Sequence, residues 1–319
     1  MTKPSLQTVL RMQGNVAPLQ DGRVKVDGFD LSILDESRMD GAFRRMVRSH
    51  EFEISELALT TYVVAREYGA EFTALPIFLV REFHHGAILF NKDAGIQDPR
   101  QLEGQRVGVD RGYTVTTSVW ARSILAEEHG VDVSKITWVL SSDEHVADYQ
   151  LPGNVEYLAE GLELRDELNK GALSCVVGFF TADIPDEYQN IVPLHSDGLE
   201  AGLNAYKERR HYPINHLMVV RNDVLTANPQ LPQALFEAFS KSKALYVDDL
   251  VGRRLEQPSH IDDMHLRIAQ LGDDPLPYGI APNRDLLTDY LEHCHSQGVL
   301  RQSVAVEDLF HPATLDLVG

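Results

Sequence analysis

The chain has 319 residues, 43% of them hydrophobic and 24% charged, which is the makeup of a globular protein large enough for two lobes. A formal net charge of -19 argues against nucleic acid and acidic membrane surfaces as partners, since both are polyanions. No apolar run approaches the roughly 20 residues of a membrane span.

A small anionic ligand remains compatible with this charge, provided a local basic pocket works against the overall field. The first ten residues carry no signal-peptide h-region, so a cytoplasmic protein is expected. Cys175 and Cys294 share no redox or metal spacing and read as reduced structural thiols.

In chain order, strands are expected at 6–12, 28–34, 52–57 and 72–78. Helices at 39–48 and 60–68 separate them, the second ending at Gly69. This alternation predicts a mainly parallel sheet. A second α/β region follows, with strands at 106–109, 136–140, 175–178 and 191–192 and helices at 115–129, 161–169 and 199–210. The segment 213–220 reads as a strand similar to the one near 87–91. Beyond it the chain turns helical at 231–251, 260–271 and 283–297. Taking the two similar strands as crossings gives a first lobe at 1–91, a second at 92–213, and a return to the first lobe with a helical tail at 214–319. The tail is compatible with a homo-oligomer.

Chemistry concentrates at Arg81-Glu82-Phe83-His84-His85-Gly86, which puts a cation and two imidazoles at the mouth of a short strand. A guanidinium offers two parallel donors in the plane a carboxylate needs, so Arg81 is the first candidate anchor; the alternative is a surface arginine paired with an acid. His84 and His85, adjacent on a strand, point to opposite faces, and His85 is favoured for the site. Tyr113, Thr114 and Thr116 stand where a strand gives way to a helix, where free N–H groups favour an anion; plain N-capping is the alternative. Trp120 on that helix walls either an aromatic ligand or the core. Thr60 and Thr61 follow a strand end, a usual ligand position in open α/β sheets. Glu56 is an acid near the same end. His216 lies on the return strand, and Tyr278 and Asn283 fall in a Pro-Tyr-Gly-Ile-Ala-Pro-Asn loop.

The thirteen histidines show no HExxH or comparable spacing, and His293 and His295 stand two apart on a helix. No phosphate loop, dinucleotide fingerprint or GxSxG elbow is present. Cofactor-free chemistry without a metal is expected.

The two-lobed pattern resembles the type II periplasmic-binding-protein fold, whose recurring "ledLkGkrvgv" passage is similar to residues 96–109, Ile-Gln-Asp-Pro-Arg-Gln-Leu-Glu-Gly-Gln-Arg-Val-Gly-Val. A narrower ordered set runs over about residues 20–290. It comprises Asp21-Gly22-Arg23-Val24, Phe52-Glu53-Ile54-Ser55-Glu56-Leu57, Arg81-Glu82-Phe83-His84-His85, Thr117-Ser118-Val119-Trp120-Ala121-Arg122, Tyr212-Pro213-Ile214-Asn215-His216 and Pro277-Tyr278-Gly279-Ile280-Ala281-Pro282-Asn283-Arg284. Together these resemble the 4,5-dihydroxyphthalate decarboxylase family. Gln13–Pro18 departs from that family's pattern, carrying no charge where an acidic-aromatic-basic cluster is expected.

The resemblance implies a cytoplasmic, cofactor-independent carboxy-lyase whose partner is a small aromatic acid. His85 or His216 would be the general acid, Arg81 the anchor, and the threonines near 114–117 would hold polar substituents. Two other readings stay open: a lyase acting on another small organic acid, and a binding protein without catalysis.

Overall fold

The computed structural model describes residues 3–34, 36 and 38–319. The chain divides into two compact α/β units. The first comprises Met1–Glu82, Ile214–Thr288 and Val304–Gly319, the second Phe83–Pro213 and Asp289–Ser303. The first chain boundary therefore falls at Glu82/Phe83 rather than near residue 91. Residues 289–303, expected in the tail of the first lobe, belong to the second unit.

Within the first unit the chain runs β1 (Ser5–Val9), α1 (Ala17–Gln20), β2 (Asp30–Leu34), α2 (Met39–Ser49), β3 (Ile54–Ala58), α3 (Leu59–Glu67) and β4 (Phe72–Arg81). In the second it forms β5 (Ile88–Asn91), β6 (Arg106–Val109), α4 (Thr116–His129), β7 (Thr137–Leu140), β8 (Val155–Tyr157), α5 (Leu164–Asn169), β9 (Cys175–Val177), β10 (Ile191–Pro193) and α6 (Gly198–Arg209). It re-enters the first as β11 (Ile214–Arg221), α7 (Asn222–Ala227), α8 (Leu231–Val251) and α9 (His260–Gln270). Helix α10 (Arg284–Ser296) begins in the first unit and ends in the second.

Each sheet is mainly parallel, as expected, but carries one reversed strand. The first has the order β2-β1-β3-β11-β4, with β11 antiparallel to both its neighbours. The second has the order β10-β5-β9-β6-β7-β8, with β5 antiparallel to β10 and β9. The reversed strands follow closely on the points where the chain enters each unit, at Phe83 and Ile214. A local periodicity reports a strand but not its partner, so these insertions lie outside its reach.

The burial follows from composition. All five residues of β3, Ile-Ser-Glu-Leu-Ala, are buried, as a central strand covered on both faces requires. In the second unit, Leu164 and Leu168, four apart on α5, pack with Leu89, Val139, Leu173 and Val176 from the sheet side. Strand β4 is at its sheet's edge, where Pro76 is tolerated because the missing N–H costs no ladder bond. The C-terminal segment covers that edge: Ala74 bridges Phe310, and His311 N–H donates to the Ala74 carbonyl at 3.0 Å.

Gly279 closes this cover. It has φ +98°, donates to the Pro76 carbonyl at 2.8 Å, and would set a Cβ 2.2 Å from the Leu317 carbonyl oxygen. Gly279→Ala combines strained backbone with a backbone clash. It is expected to cost about 3 kcal/mol, read as a lower melting temperature of the first unit, and a melt matching the wild type would refute this account.

Candidate active site

The most pointed arrangement of ionisable groups in the first unit is built on β3 and β11. Met218 faces Glu56 and His216 faces Ala58 across the antiparallel pair, so Glu56 and His216 are diagonal neighbours. The pairing of β11 with β4 shifts register on both sides of His216, an irregularity of the kind that re-aims a side chain next to a functional site. His216 Nδ1 lies 2.6 Å from Glu56 Oε1, and its ring meets Phe43 edge-on with centroids 5.1 Å apart. Glu56 Oε2 accepts from the Arg11 backbone N–H at 2.8 Å, and Arg11 Nε is 3.8 Å from Oε1.

Glu56 is fully buried. Burial by itself would raise its carboxyl pKa, but the hydrogen bond and charge of His216, helped by Arg11, hold it below the usual range. A carboxylate can only accept, so Nδ1 carries the proton of this bond, and a proton the ring delivers to a ligand would pass through Nε2. The imidazole is 12% exposed and the Arg11 side chain 46%. A buried acid orienting a nearly buried imidazole beside an accessible guanidinium can deliver a proton and hold a carboxylate.

Arg11 also lines a cavity of about 560 Å³ within the same unit, along with Gln13, Asn15, Arg81, Asp262 and His265. That volume suits a small ligand. The uncharged Gln13–Pro18 stretch forms part of its wall as a pinned loop. Gln13 Nε2 and Asn15 Nδ2 both donate to the Leu79 carbonyl, at 2.8 and 3.1 Å, and Asn15 also donates to the Tyr278 hydroxyl at 3.0 Å.

The structure gathers three other expected site residues into a framework. Arg81 ends β4, is 2% exposed, and donates through Nη2 to the Pro277 carbonyl at 3.1 Å and to Asn283 Oδ1. Asn283 Nδ2 donates to the carbonyls of Pro277 and Gly279 at 2.9 and 2.8 Å. Tyr278 is fully buried, with the Lys243 ammonium 5.2 Å from its ring centroid, and burial pushes its hydroxyl pKa up. These contacts hold the 277–283 loop against β4. Arg81 is thus a buried arginine of the cavity wall, and Tyr278 and Asn283 help to fix the loop. Thr60 and Thr61 lie in the first turn of α3, both fully buried.

In the second unit, the donors expected at the start of α4 meet an anion from the chain itself. Tyr113 N–H and the Thr114 hydroxyl both donate to the Glu144 carboxylate, and Thr114 N–H reaches Oε2 at 3.1 Å. The Tyr113 hydroxyl donates to the Gln297 carbonyl at 2.8 Å, and the Arg122 guanidinium stacks 3.9 Å from its ring centroid. Thr116 is buried beside them. Tyr113 and Thr114 therefore bind Glu144 in the folded chain. The N–H groups at this turn face an anion, and that anion comes from thirty residues downstream of Thr114. Trp120 packs against Tyr290 with ring centroids 4.6 Å apart and planes tilted by 36°.

His85 does not sit on a strand. It opens a 3-10 turn at His85–Ala87, and its Nε2 bonds Glu128 Oε1 at 3.1 Å. Together with Trp120 it lines a pocket of only about 60 Å³, too small for an aromatic acid. Burial would raise the Glu128 pKa, but His85 and then Arg209 hold it down. Arg11, on the cavity wall beside Glu56, is not among the residues singled out from the sequence. Its only sequence signal is a charge two residues after β1, just ahead of the uncharged Gln13–Pro18 stretch.

No family model matches the chain. A 4,5-dihydroxyphthalate decarboxylase from Comamonas testosteroni is 30% identical over 328 aligned positions, covering 99% of each chain. The periplasmic aliphatic sulphonate binding protein SsuA from Escherichia coli superposes with a TM-score of 0.54 at 12% identity, over 100% of this chain and 95% of that one. The desulfurization enzyme DszB, as a mutant in complex with biphenyl-2-sulfinic acid, gives 0.55 at 16% identity over 99% and 98%. At these identities the structural likenesses show a periplasmic-binding-protein-like fold and nothing of the chemistry.

Proposed function

The chain belongs to the 4,5-dihydroxyphthalate decarboxylase family, and from that membership we propose that it is a carboxy-lyase releasing carbon dioxide from a hydroxylated aromatic acid, with His216 as the proton donor. The observation that supports the assignment of roles is the 2.6 Å contact between His216 and the buried Glu56, next to the accessible Arg11.

The chemistry follows from where the electrons go. A hydroxyl para or ortho to the carboxylate pushes density onto the carboxylated ring carbon. Protonated His216 adds its proton there through Nε2, and the Glu56 carboxylate stabilises the imidazolium beforehand. The carbon–carboxylate bond then breaks, its electron pair returns to the ring, and carbon dioxide leaves. Neutral His216 recovers a proton from water. Arg11 takes a carboxylate of the substrate with paired donors, and Arg81, Asn15 and Gln13 keep the cavity wall rigid. With 4,5-dihydroxyphthalate the balance leaves 3,4-dihydroxybenzoate, and one proton is consumed for each carbon dioxide released.

The test is turnover in D2O. Chelator-treated protein incubated with 4,5-dihydroxyphthalate is expected to give a product one carboxyl lighter, with a single deuterium at the vacated ring carbon. An unchanged substrate across a panel of hydroxylated aromatic acids would overturn the reading. We place the reaction in the cytoplasm. Both cysteines are free and buried, which suits a reducing compartment, and among the described residues no helix is long and apolar enough to cross a membrane.

A further inference from the structure

A group of metal-ligating side chains lies in the second unit. Glu128 and His129 close helix α4, and His195 follows β10, 66 residues later. One ligand atom from each lies within 4.8 Å of the others. The two imidazole Nε2 atoms are 3.4 Å apart. This is long for a hydrogen bond between ring nitrogens. It is the separation of two imidazoles on one tetrahedral ion, where bonds of about 2.05 Å at the tetrahedral angle put the nitrogens about 3.35 Å apart.

We propose that Glu128, His129 and His195 form a binding site for a divalent transition-metal ion of the zinc class. The ligand set is two neutral imidazoles and one carboxylate, which such borderline ions favour. The surroundings agree with a cation. The site stands at the C-terminal end of a 14-residue helix capped by Gly130, where the helix dipole is negative. Glu128 already has its Oε1 held by His85 Nε2 at 3.1 Å and Arg209 Nη2 at 2.8 Å, which fixes the carboxylate while leaving Oε2 for the ion. Arg209 is one adverse charge in the neighbourhood, which Glu127 offsets by accepting from its Nη1 at 2.7 Å, and the His85 ring, its centroid 5.4 Å from that of His195, is a further competitor for the cation. Three protein ligands leave a fourth position for water or a small anion. The ion would tie the end of α4 to the segment after β10 within this unit.

Sequence spacing does not reveal such a site. Glu128 and His129 are adjacent and His195 is remote, so no motif connects them.

The experiment is a titration of chelator-stripped full-length protein with Zn2+ by calorimetry, and with Co2+ by visible absorption. One equivalent is expected to bind, with the intense d–d bands of tetrahedral Co2+. His129→Ala and His195→Ala should each weaken binding by about tenfold or more, whereas His260→Ala, at a highly exposed histidine, should leave it unchanged. Glutamine variants of His129 and His195 keep a polar side chain in these partly buried positions and separate metal loss from misfolding. Octahedral-type weak Co2+ bands, no one-equivalent event, or binding indifferent to His129 and His195 would each overturn the proposal.

Discussion

His216→Gln is expected to lower kcat for the hydroxylated aromatic acid by about 10²- to 10⁴-fold, the usual contribution of one positioned general acid. KM should change little, because carboxylate binding is assigned to Arg11 and the cavity wall. Glutamine keeps an amide near Glu56 but delivers no proton, so circular dichroism and melting should stay close to wild type while turnover collapses. Glu56→Gln tests the same pair from the other side. It leaves the imidazole without the carboxylate that orients it and stabilises its charged form, so kcat should fall in this variant too. Residues that act as one unit are strongly non-additive, so the double variant should be hardly worse than His216→Gln alone. Wild-type turnover in His216→Gln would remove the residue from the mechanism. Additive losses in the double variant would break the link between the two.

Whether these roles could be read from the sequence depended on how local their signals were. Helix α8 occupies 231–251 as expected, because Leu231, Leu235, Phe236, Phe239, Tyr246 and Leu250 repeat on one face and all are buried. His216 was legible as a candidate on the return strand, but its partner was not. Glu56 is 160 residues away in sequence, and the two meet only because β11 inserts antiparallel beside β3. The His84–His85 pair misled for a local reason: alternation of faces presumes a strand, and the backbone there makes a 3-10 turn instead. The hydrogen bonds of Arg81 have an energetic origin that the sequence does not display. A guanidinium in an apolar run must find acceptors once buried, and the 277–283 loop supplies them. The domain boundaries moved because contacts among distant segments, not strand similarity, decide which unit a segment joins.

Glu144→Ala is expected to destabilise the second unit by about 3–5 kcal/mol, a larger loss than a surface substitution can give. The carboxylate receives two backbone N–H groups and the Thr114 hydroxyl, all buried. Alanine leaves those donors without an acceptor and opens a void at the start of α4. It also removes the anion facing Arg122, a fully buried cation whose Nε donates to Gln297 Oε1 at 2.7 Å and whose Nη2 donates to the Tyr113 carbonyl at 2.9 Å. The pH dependence separates this from simple cavity formation. Burial raises the Glu144 pKa, and it outweighs the opposing pull of Thr114, Tyr113 and Arg122. A carboxyl whose folded pKa lies above its unfolded value, about 4.3, binds protons more readily in the native state. Its contribution is therefore fully present below that unfolded value and diminishes as pH rises through the folded pKa. Glu56 has the opposite sign. Its lowered pKa gives stability that is present above the unfolded value and lost as pH falls through the folded one. Denaturant titrations of wild type and Glu144→Ala across the acidic range should show the penalty largest at the acid end and shrinking as pH rises. A penalty that grew with pH would mean that the helix-start donors win over burial and that Glu144 is held as a charged partner of Arg122.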